Sequence, residues 1–549
     1  MYFLLPNLIN FERLYLIIYF NSEGKVFEMK NNPIIWSDYP DLDVIRVGDT
    51  YYMVSTTMHL MPGCVILRSY DLINWEVATY VYDTLDDTCG QKLEGKNQIY
   101  GKGMWAASLR YHNNKFYVCF VANDTGKTYL YTATEIDGNW TKQIIEGFYH
   151  DCSLLFDDDG KVYIAYGNTD IHITELKEDL SGPKPNGLDK IIVTETEEYD
   201  LGYEGSHFYK INGKYYIFLI HILKSKGRRT EACFVSDTLD GEFIGREVFN
   251  DDMGYKNSGI AQGGIVSTPD GKWYAMLFQD RGAVGRIPVI VPMHFENDFP
   301  LFDKKAPEHI EIDSTRPEYE YSPIVGDDDF VYEPDFNGKV HIKDVWQWNH
   351  IPDERLWSVT EKYGTYRIKS GKISPNLNFA VNTLTQRTMG PECEAIVTLD
   401  GSELKNGDYA GICFLISTYG LIAITKEEDK YYLVMLARES EDKSIFGNLV
   451  DSEPGTEYGR VSLHGSKITL KARGNFINGK DEGEFYYLNE MKWEKLGVTH
   501  SMVWKMDQFI GCRFGLFLFS TKEVGGCAEF SNLKYNIIQI GKHTSELQS

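Results

Sequence analysis

One pattern of polar and apolar positions recurs five times in the first half of the chain. Each copy starts with a polar or aromatic residue, continues as a short strand, turns at Asn, Asp or Gly, and ends in a second strand rich in aromatic residues. Strand-length apolar runs separated by such turn residues predict β-hairpins. The five copies are Asp41–Tyr52, Trp105–Tyr117, Asp151–Tyr163, Glu204–Tyr216 and Gln262–Tyr274.

The five copies share a register. The leading residue precedes the hairpin tyrosine by 12 positions in four copies and by 11 in the copy that starts at Asp41. Most copies are followed by a turn signal, such as Ser69–Trp75, that predicts entry into an outer strand. Repeats of this length are typical of four-stranded blades, and five blades closed radially make a β-propeller. We therefore expect the five leading residues to converge at one mouth of a central funnel.

The second half of the chain keeps the strand pattern but lacks the hairpin repeat. Its spacing of apolar runs predicts a two-sheet sandwich. The clearest runs are Glu394–Leu399, Ala410–Leu415, Lys467–Ala472 and Phe514–Phe519.

The predicted fold class is all-β, with a five-bladed β-propeller followed by a C-terminal β-sandwich. Proline and charged residues interrupt the periodicity around residues 305–330, which marks an inter-domain connection. The predicted segments are an N-terminal extension (1–29), the propeller (30–318), a linker (319–330), the sandwich (331–540) and a polar tail (541–549).

Composition narrows the classes of partner and compartment. A net charge of −25 argues against nucleic acid and anionic membranes as partners. The 37 tyrosines suit strands and also surfaces that stack on sugars. Nine scattered cysteines without a C-x-x-C pair predict buried free thiols in a reducing compartment. Because the first 29 residues show no basic region or cleavage site, we expect a cytoplasmic protein, with secretion as the alternative.

Three of the five leading residues are carboxylates, namely Asp41, Asp151 and Glu204. Hydrolysis of a glycosidic bond needs two carboxyl groups in different protonation states. A third carboxylate nearby can raise the pKa of the acid by like-charge repulsion. Clusters of oxygen ligands also bind calcium. The residue pattern alone therefore leaves a catalytic and a metal-binding interpretation open.

The repeat signatures resemble glycoside hydrolase family 43 over residues 30–540. Tyr39–Asp43, Asp151–Leu154 and Glu204–His207 are similar to its signatures of the first, third and fourth blades and stand in the same order. The resemblance implies a five-bladed propeller that inverts the anomeric configuration of β-xylosides or α-L-arabinofuranosides without an organic cofactor. The run Trp346–Asp353 resembles the opening of the concanavalin-like sandwich of the two-domain members.

The resemblance also implies roles for individual residues. It makes Asp41 the general base, Glu204 the general acid, and Asp151 the residue that raises the pKa of the acid and helps to position it. Gln262 stands where many members place a histidine that helps to hold a metal ion. Since an amide is a poorer ligand than imidazole, we expect no required cofactor and leave a structural calcium ion as an alternative. The residues expected to contact substrate are Arg286, Trp105, His59 and Gln262.

We predict an exo-acting, inverting hydrolase that releases xylose or arabinose from oligosaccharides of plant cell walls. One alternative is a retaining five-bladed enzyme acting on fructosides, in which the catalytic carboxyls lie about 5–5.5 Å apart rather than about 6.5–9.5 Å. Those enzymes usually open with Asn-Asp-Pro-Asn, which Tyr39–Leu42 does not match. A second alternative is a non-catalytic sugar-binding propeller, which has no need of all three carboxylates. The sequence leaves the sugar and the oligomeric state open.

Overall fold

The computed structural model describes residues 19–20, 26–27, 30–442 and 444–538. The predicted polar tail (541–549) lies outside these residues, as does most of the predicted N-terminal extension, of which Tyr19–Phe20 and Val26–Phe27 form a short antiparallel pair. Within the described part no helix is long and apolar enough to cross a membrane. The described helices are short 3₁₀ turns at Gly282–Val284, Leu377–Phe379 and Ile477–Gly479.

The first part of the chain forms five antiparallel blades, and the predicted fold class is confirmed. In blades 1 to 4 the strands are hydrogen-bonded in chain order, starting from the strand at the axis. In blade 5 two short strands, Ile260–Ala261 and Ile265–Ser267, both pair with Trp273–Asp280 and take the place of a single inner strand. Blade 1 contains Asp43–Val47, Thr50–Ser55, Gly63–Ser69 and Glu76–Tyr82; blade 2 contains Ser108–His112, Lys115–Ala122, Lys127–Ala133 and Thr141–Ile145; blade 3 contains Ser153–Phe156, Val162–Asn168, Asp170–Leu176 and Asp189–Thr194. Blade 4 contains Tyr199–Ile211, Lys214–Leu223, Thr230–Ser236 and Ile244–Phe249; blade 5 contains Ile260–Ala261, Ile265–Ser267, Trp273–Asp280, Arg286–Glu296 and Phe299–Phe302.

The hairpins form where their turn residues predict them. In blade 4, Asn212 and Gly213 have φ values of 51° and 81°, the pattern of a type I′ turn whose twist matches that of the flanking strands. Alternate residues of these strands then face the neighbouring blade, and Phe208 and Ile217 bury against Tyr163 of blade 3. Local turn chemistry therefore fixes which residues pack between blades.

The ring of blades closes between the last blade and the first. Leu42 pairs in parallel with Gly263, and the carbonyl of Leu42 accepts a hydrogen bond from the N–H of Gly264 at 2.9 Å. Closure brings the five leading residues of the repeats to one end of the axis.

The second part of the chain forms a β-sandwich of two packed sheets. In hydrogen-bonding order, the first sandwich sheet contains Thr456–Leu463, Lys430–Ala437, Gly420–Glu427, Asp408–Leu415, Arg513–Ser520, Leu384–Arg387, Gln347–Asn349 and Leu60–Met61. The second sandwich sheet contains Trp357–Ser358, Tyr366–Lys369, Cys527–Ile538, Glu392–Asp400, Lys467–Asn475, Glu482–Asn489 and Lys492–Lys495, with His500–Ser501 beside Glu482–Asn489. Phe414, Leu470 and Phe530 lie in the core between the sheets.

The propeller and the sandwich share a sheet and a core. The edge strand Leu60–Met61 comes from the propeller, between two strands of blade 1, and pairs with Gln347–Asn349 of the sandwich. One apolar cluster runs from Phe120 of blade 2 through Trp348 to Phe414 without a break. The two halves are therefore packed against each other as one body.

Candidate active site

A pocket of about 1030 Å³ lies where the inner strands of the blades begin. The three predicted carboxylates, Asp41, Asp151 and Glu204, all line it, so the register of the repeat does bring them together. The opposite wall comes from the sandwich. Its side chains in the pocket include Phe446, Asp481, Trp504 and Phe509.

Asp41 lies on one side of the pocket and is held by Arg286. The Nη1 of Arg286 donates to both carboxylate oxygens, at 3.1 and 3.3 Å. The backbone before the arginine is constrained, because Gly285 has a φ of 104° and a Cβ there would lie 2.4 Å from an oxygen of Asp38. The N–H of Arg286 donates to that Asp38 oxygen at 2.8 Å. Asp41 and Arg286 are both buried, and their geometry is fixed.

Glu204 and Asp151 lie together on the other side, with His150 between them. The Nε2 of His150 is 3.4 Å from Glu204 Oε2 and 3.7 Å from Asp151 Oδ1. The Nδ2 of Asn168 donates to the same Glu204 oxygen at 2.5 Å. Gly205 has a φ of 67°, and a Cβ there would lie 2.8 Å from Gln262. The backbone next to Glu204 therefore has no room for a side chain.

Burial and neighbouring charges set the protonation of Asp151 and His150. Burial raises the pKa of Asp151 to about 7; the imidazole of His150 lowers it, and the negative charges of Glu204 and Asp41 raise it further. Asp151 in turn raises the pKa of His150 to about 9, against the effect of burial. Near neutral pH the imidazole is therefore cationic and Asp151 is close to the midpoint of its titration. The group as a whole can hold and release a proton.

Phe509 of the sandwich contacts Arg286 in the pocket. The ring of Phe509 lies 4.4 Å from the guanidinium carbon of Arg286, and its carbonyl accepts from Nη2 at 3.4 Å. The same ring packs edge-on against Trp105 with the centroids 5.6 Å apart, and at a tilt against Trp504 with the centroids 5.5 Å apart. Trp105 also packs edge-on against His150. These rings form an aromatic wall of the kind on which a sugar ring can stack.

The other predicted substrate contacts divide into two groups. Trp105, Gln262 and Arg286 line the pocket. His59 does not: it is 0% exposed, and its ring packs at 4.6 and 4.8 Å against Tyr100 and His350. We therefore correct the role of His59 from substrate contact to packing between the propeller and the sandwich. The neighbouring Met58 lines the pocket instead.

Sequence reasoning missed His150, Asn168 and Phe509, for different reasons. His150 directly precedes Asp151, so a look at the neighbours of each leading residue would have found it. Asn168 ends the second strand of blade 3, outside the repeated signature. Phe509 comes from the other domain, and nothing in its local sequence indicates the propeller.

Gln262 lies next to a buried carboxyl. The backbone N–H of Gln262 donates at 2.7 Å to Glu231, which is fully buried. Burial raises the pKa of Glu231 well above its usual range. In the described part of the chain, the close group of three His, Cys, Asp or Glu side chains is His150, Asp151 and Glu204. That group is the second side of the pocket itself.

Comparison with family models matches residues 30–300 to glycosyl hydrolases family 43. Residues 333–536 match the beta-xylosidase C-terminal concanavalin A-like domain. The chain belongs to glycoside hydrolase family 43. It is a glycoside hydrolase of the two-domain type within this family.

Known family 43 proteins resemble the chain over most of its length. A beta-xylosidase of Formosa agariphila is 25% identical over 92% of this chain and 90% of its own length. A bifunctional GH43-CE protein of Bacteroides eggerthii has a TM-score of 0.84 at 39% identity, with 93% of this chain and 64% of that chain covered. This chain thus spans just under two thirds of that larger protein. An engineered GH43 enzyme with endo-xylanase and exo-arabinofuranosidase activity has a TM-score of 0.81 at 28% identity, covering 92% of this chain and 99% of its own.

Proposed function

We propose that the chain is an exo-acting hydrolase that inverts the anomeric carbon and releases xylose or arabinose from oligosaccharides of plant cell walls. The observation that carries the proposal is the convergence of Asp41, Asp151 and Glu204 in one pocket, with the sandwich as its far wall. The known relatives support this choice of sugars, since they include a beta-xylosidase and an engineered enzyme with exo-arabinofuranosidase activity.

The proposed reaction uses two carboxyl groups in opposite roles. Ionised Asp41 takes a proton from a water molecule, and the water oxygen attacks the anomeric carbon on the face opposite to the leaving group. Protonated Glu204 gives its proton to the glycosidic oxygen as the bond from that oxygen to the anomeric carbon breaks. The product has the inverted configuration, and proton exchange with solvent returns both groups to their starting states.

Neighbouring residues support these two roles. His150 and Asn168 orient the Glu204 carboxyl through the contacts described above, and Asp151 places a second carboxyl beside it. Arg286 fixes the direction of Asp41, and its planar guanidinium suits the hydroxyls of a sugar.

Asp41 stands apart from the carboxyls on the acid side of the pocket. Oxygen or nitrogen ligand atoms of His150, Asp151 and Glu204 all lie within 4.8 Å of one another, and Asp41 is not part of this close group. The carboxyl spacings of retaining enzymes (about 5–5.5 Å) and of inverting enzymes (about 6.5–9.5 Å) both exceed that limit. The proposal of inversion therefore rests on membership of the family.

The sandwich wall supports exo action. Trp504 and Phe509 stand across the pocket from the propeller carboxylates. Side chains of a second domain in the pocket lining favour a site that receives the end of an oligosaccharide over a groove open along its length. We therefore propose that a terminal sugar occupies the space between Phe509 and the three carboxylates.

The test is hydrolysis of an aryl β-D-xylopyranoside and an aryl α-L-arabinofuranoside by the native chain, Glu204→Gln and Asp41→Asn. We expect each variant to lose about 10²-fold or more in kcat. Glu204→Gln should lose less on a dinitrophenyl glycoside, because that leaving group needs little protonation. The exposed carboxylate Glu494 provides a matched control, and Glu494→Gln should be unchanged. Near-normal turnover in either site variant, or NMR detection of a product with retained configuration, would contradict the proposal.

The proposed reaction uses no metal ion. We expect the native chain to keep its rate after dialysis against EDTA, because the two carboxyls and the arginine carry the chemistry. Loss of activity that added calcium restores would contradict this expectation. A thermal melt before and after dialysis separates a structural metal from a catalytic one.

A further inference from the structure

A buried ion pair lies beneath the pocket, and no step of the proposed reaction uses it. Arg110 is on the inner strand of blade 2, and Asp43 is on the inner strand of blade 1. The Nη1 of Arg110 is 2.5 Å from Asp43 Oδ2, and the carboxylate is 0% exposed. Placing two charges out of water is costly, and removal of one partner leaves the other uncompensated. The cost of burying this ion pair points to a specific role for it.

The guanidinium of Arg110 reaches two further blades. Its Nη2 donates to Ser153 Oγ of blade 3 at 2.6 Å and to the carbonyl of Phe208 of blade 4 at 3.2 Å. Its Nε donates to the carbonyl of Leu154 at 2.8 Å. One planar group therefore ties the inner strands of blades 1 to 4 together with hydrogen bonds of fixed direction.

Both oxygens of the Asp43 carboxylate have hydrogen-bond partners besides Arg110. Its Oδ1 is 3.2 Å from His207 Nδ1 and accepts from the hydroxyl of Tyr209 at 3.4 Å. The N–H of Leu109 donates to Oδ2 at 2.8 Å. Burial alone would raise the pKa of Asp43, but Arg110 and His207 lower it to about 2. The pair therefore stays charged throughout the pH range in which a glycosidase works.

Every proposed catalytic carboxylate is close in sequence to a residue of the hydrogen-bond network around Arg110 and Asp43. Each carboxylate lies two or three positions before a residue whose side chain either belongs to the ion pair or is hydrogen-bonded to it. Asp41 precedes Asp43 by two residues, Asp151 precedes Ser153 by two, and Glu204 precedes His207 by three. Each carboxylate is thus attached to the network by a short piece of chain.

We infer that Arg110 is a positioning residue that sets the spacing of Asp41, Asp151 and Glu204 by bonding the strands of four blades to one guanidinium. This inference rests on the proposed function. The proposed reaction needs the base Asp41 and the acid Glu204 in position around the glycosidic bond at the same time. A displacement of either carboxyl by about 1 Å can cost about 10²-fold in rate. A purely structural pair would affect the amount of folded protein but not the rate per folded molecule.

The experiment compares Arg110→Met and Arg110→Lys with Arg513→Met as the matched control. Arg513 is also buried, in the first sandwich sheet, and bonds Thr385 and Gln347 away from the pocket. We would measure the melting temperature, kcat and KM on phenyl and dinitrophenyl glycosides of the preferred sugar. Arg110→Met should lose about 10²-fold in kcat per folded molecule on the phenyl substrate and less on the dinitrophenyl substrate, with little change in KM. Arg110→Lys should recover part of the loss, and Arg513→Met should lose stability only.

A milder variant keeps the test decisive if Arg110→Met does not fold. Ser153→Ala removes one hydrogen bond to the guanidinium and should lower kcat on the phenyl substrate by about tenfold. The inference is overturned if the folded variants of Arg110 or Ser153 keep kcat within about twofold of the native value, or if both substrates lose equally and Arg513→Met matches them. An inactive native chain would instead refute the proposed function. An active native chain with an inactive Glu204→Gln and a normal Arg110→Met refutes the positioning role alone.

Discussion

At the scale of single residues, the second side of the pocket depends on His150. Its imidazole carries the positive charge beside two carboxyls, and its pKa of about 9 means that the charge persists at neutral pH. Without that charge, Asp151 would hold its proton more tightly, because the nearby cation is the main effect that lowers its pKa. We therefore expect a group next to the proposed acid to set the pH range of activity.

We expect His150→Gln to move the basic limb of the pH profile of kcat to higher pH. Removal of the cation makes it harder for the cluster of Asp151 and Glu204 to lose its proton, so the protonated acid survives to higher pH. The measurement is kcat as a function of pH on an aryl glycoside. The exposed His464 offers a control, and His464→Gln should leave the profile in place. A basic limb that stays or moves to lower pH would show that the imidazole does not act through its charge.

At the scale of elements, the pocket depends on the loop between the strands His500–Ser501 and Arg513–Ser520. This loop carries Trp504 and Phe509 to the propeller. The contact of the Phe509 ring with the Arg286 guanidinium joins a sandwich loop to the residue that orients the proposed base.

We expect Phe509→Ala to lower kcat/KM by about tenfold, because the guanidinium loses its aromatic neighbour and gains freedom to turn away from Asp41. Steady-state kinetics on the preferred aryl glycoside give the value. Trp493 is an aromatic residue of the second sandwich sheet whose ring lies over Lys471, outside the pocket lining. Trp493→Ala should keep kcat/KM, and an unchanged kcat/KM in Phe509→Ala would mean that the sandwich only covers the pocket.

The elements also show what the sequence could predict. A hairpin such as the one at Asn212 and Gly213 is encoded by neighbouring residues, so five repeats of the same pattern revealed five blades and the convergence of their leading residues. The position of Phe509 is set by packing against Arg286, a residue of the other domain that lies more than 200 positions away along the chain, and no local period exists for such a contact. The same lack of local signal explains why His59 was assigned to the pocket.

At the scale of the whole molecule, neutral histidines lie between the propeller and the sandwich. Burial lowers the pKa of His59 from 6.5 to about 3, with a further contribution from Arg513. Burial also lowers the pKa of His350 well below its usual range. In the unfolded chain both imidazoles take up protons below about pH 6.5. These two histidines therefore do not destabilise the folded state above that pH, and they lower its stability as the pH falls from about 6.5 toward about 3.

We expect the melting temperature to fall on acidification and to fall less steeply in His59→Gln, which removes one of these groups. Thermal melts across this pH range give the slope, and the slope rather than the absolute stability is the informative quantity. His464→Gln, an exposed change, should melt in parallel with the native chain. Parallel curves for His59→Gln would place the acid sensitivity elsewhere.

The strand Leu60–Met61 has a consequence for how the protein is made. An unpaired sheet edge is a template for pairing with other chains, and here the edge at Gln347–Asn349 is covered by a segment of the same molecule. During translation that segment leaves the ribosome long before its partner, so the nascent propeller carries an unsatisfied strand until the sandwich arrives. A chain that ends before residue 347 would leave this strand without its partner, whereas a chain that includes the sandwich pairs it. Synthesis of the sandwich thus removes an unpaired strand from the propeller.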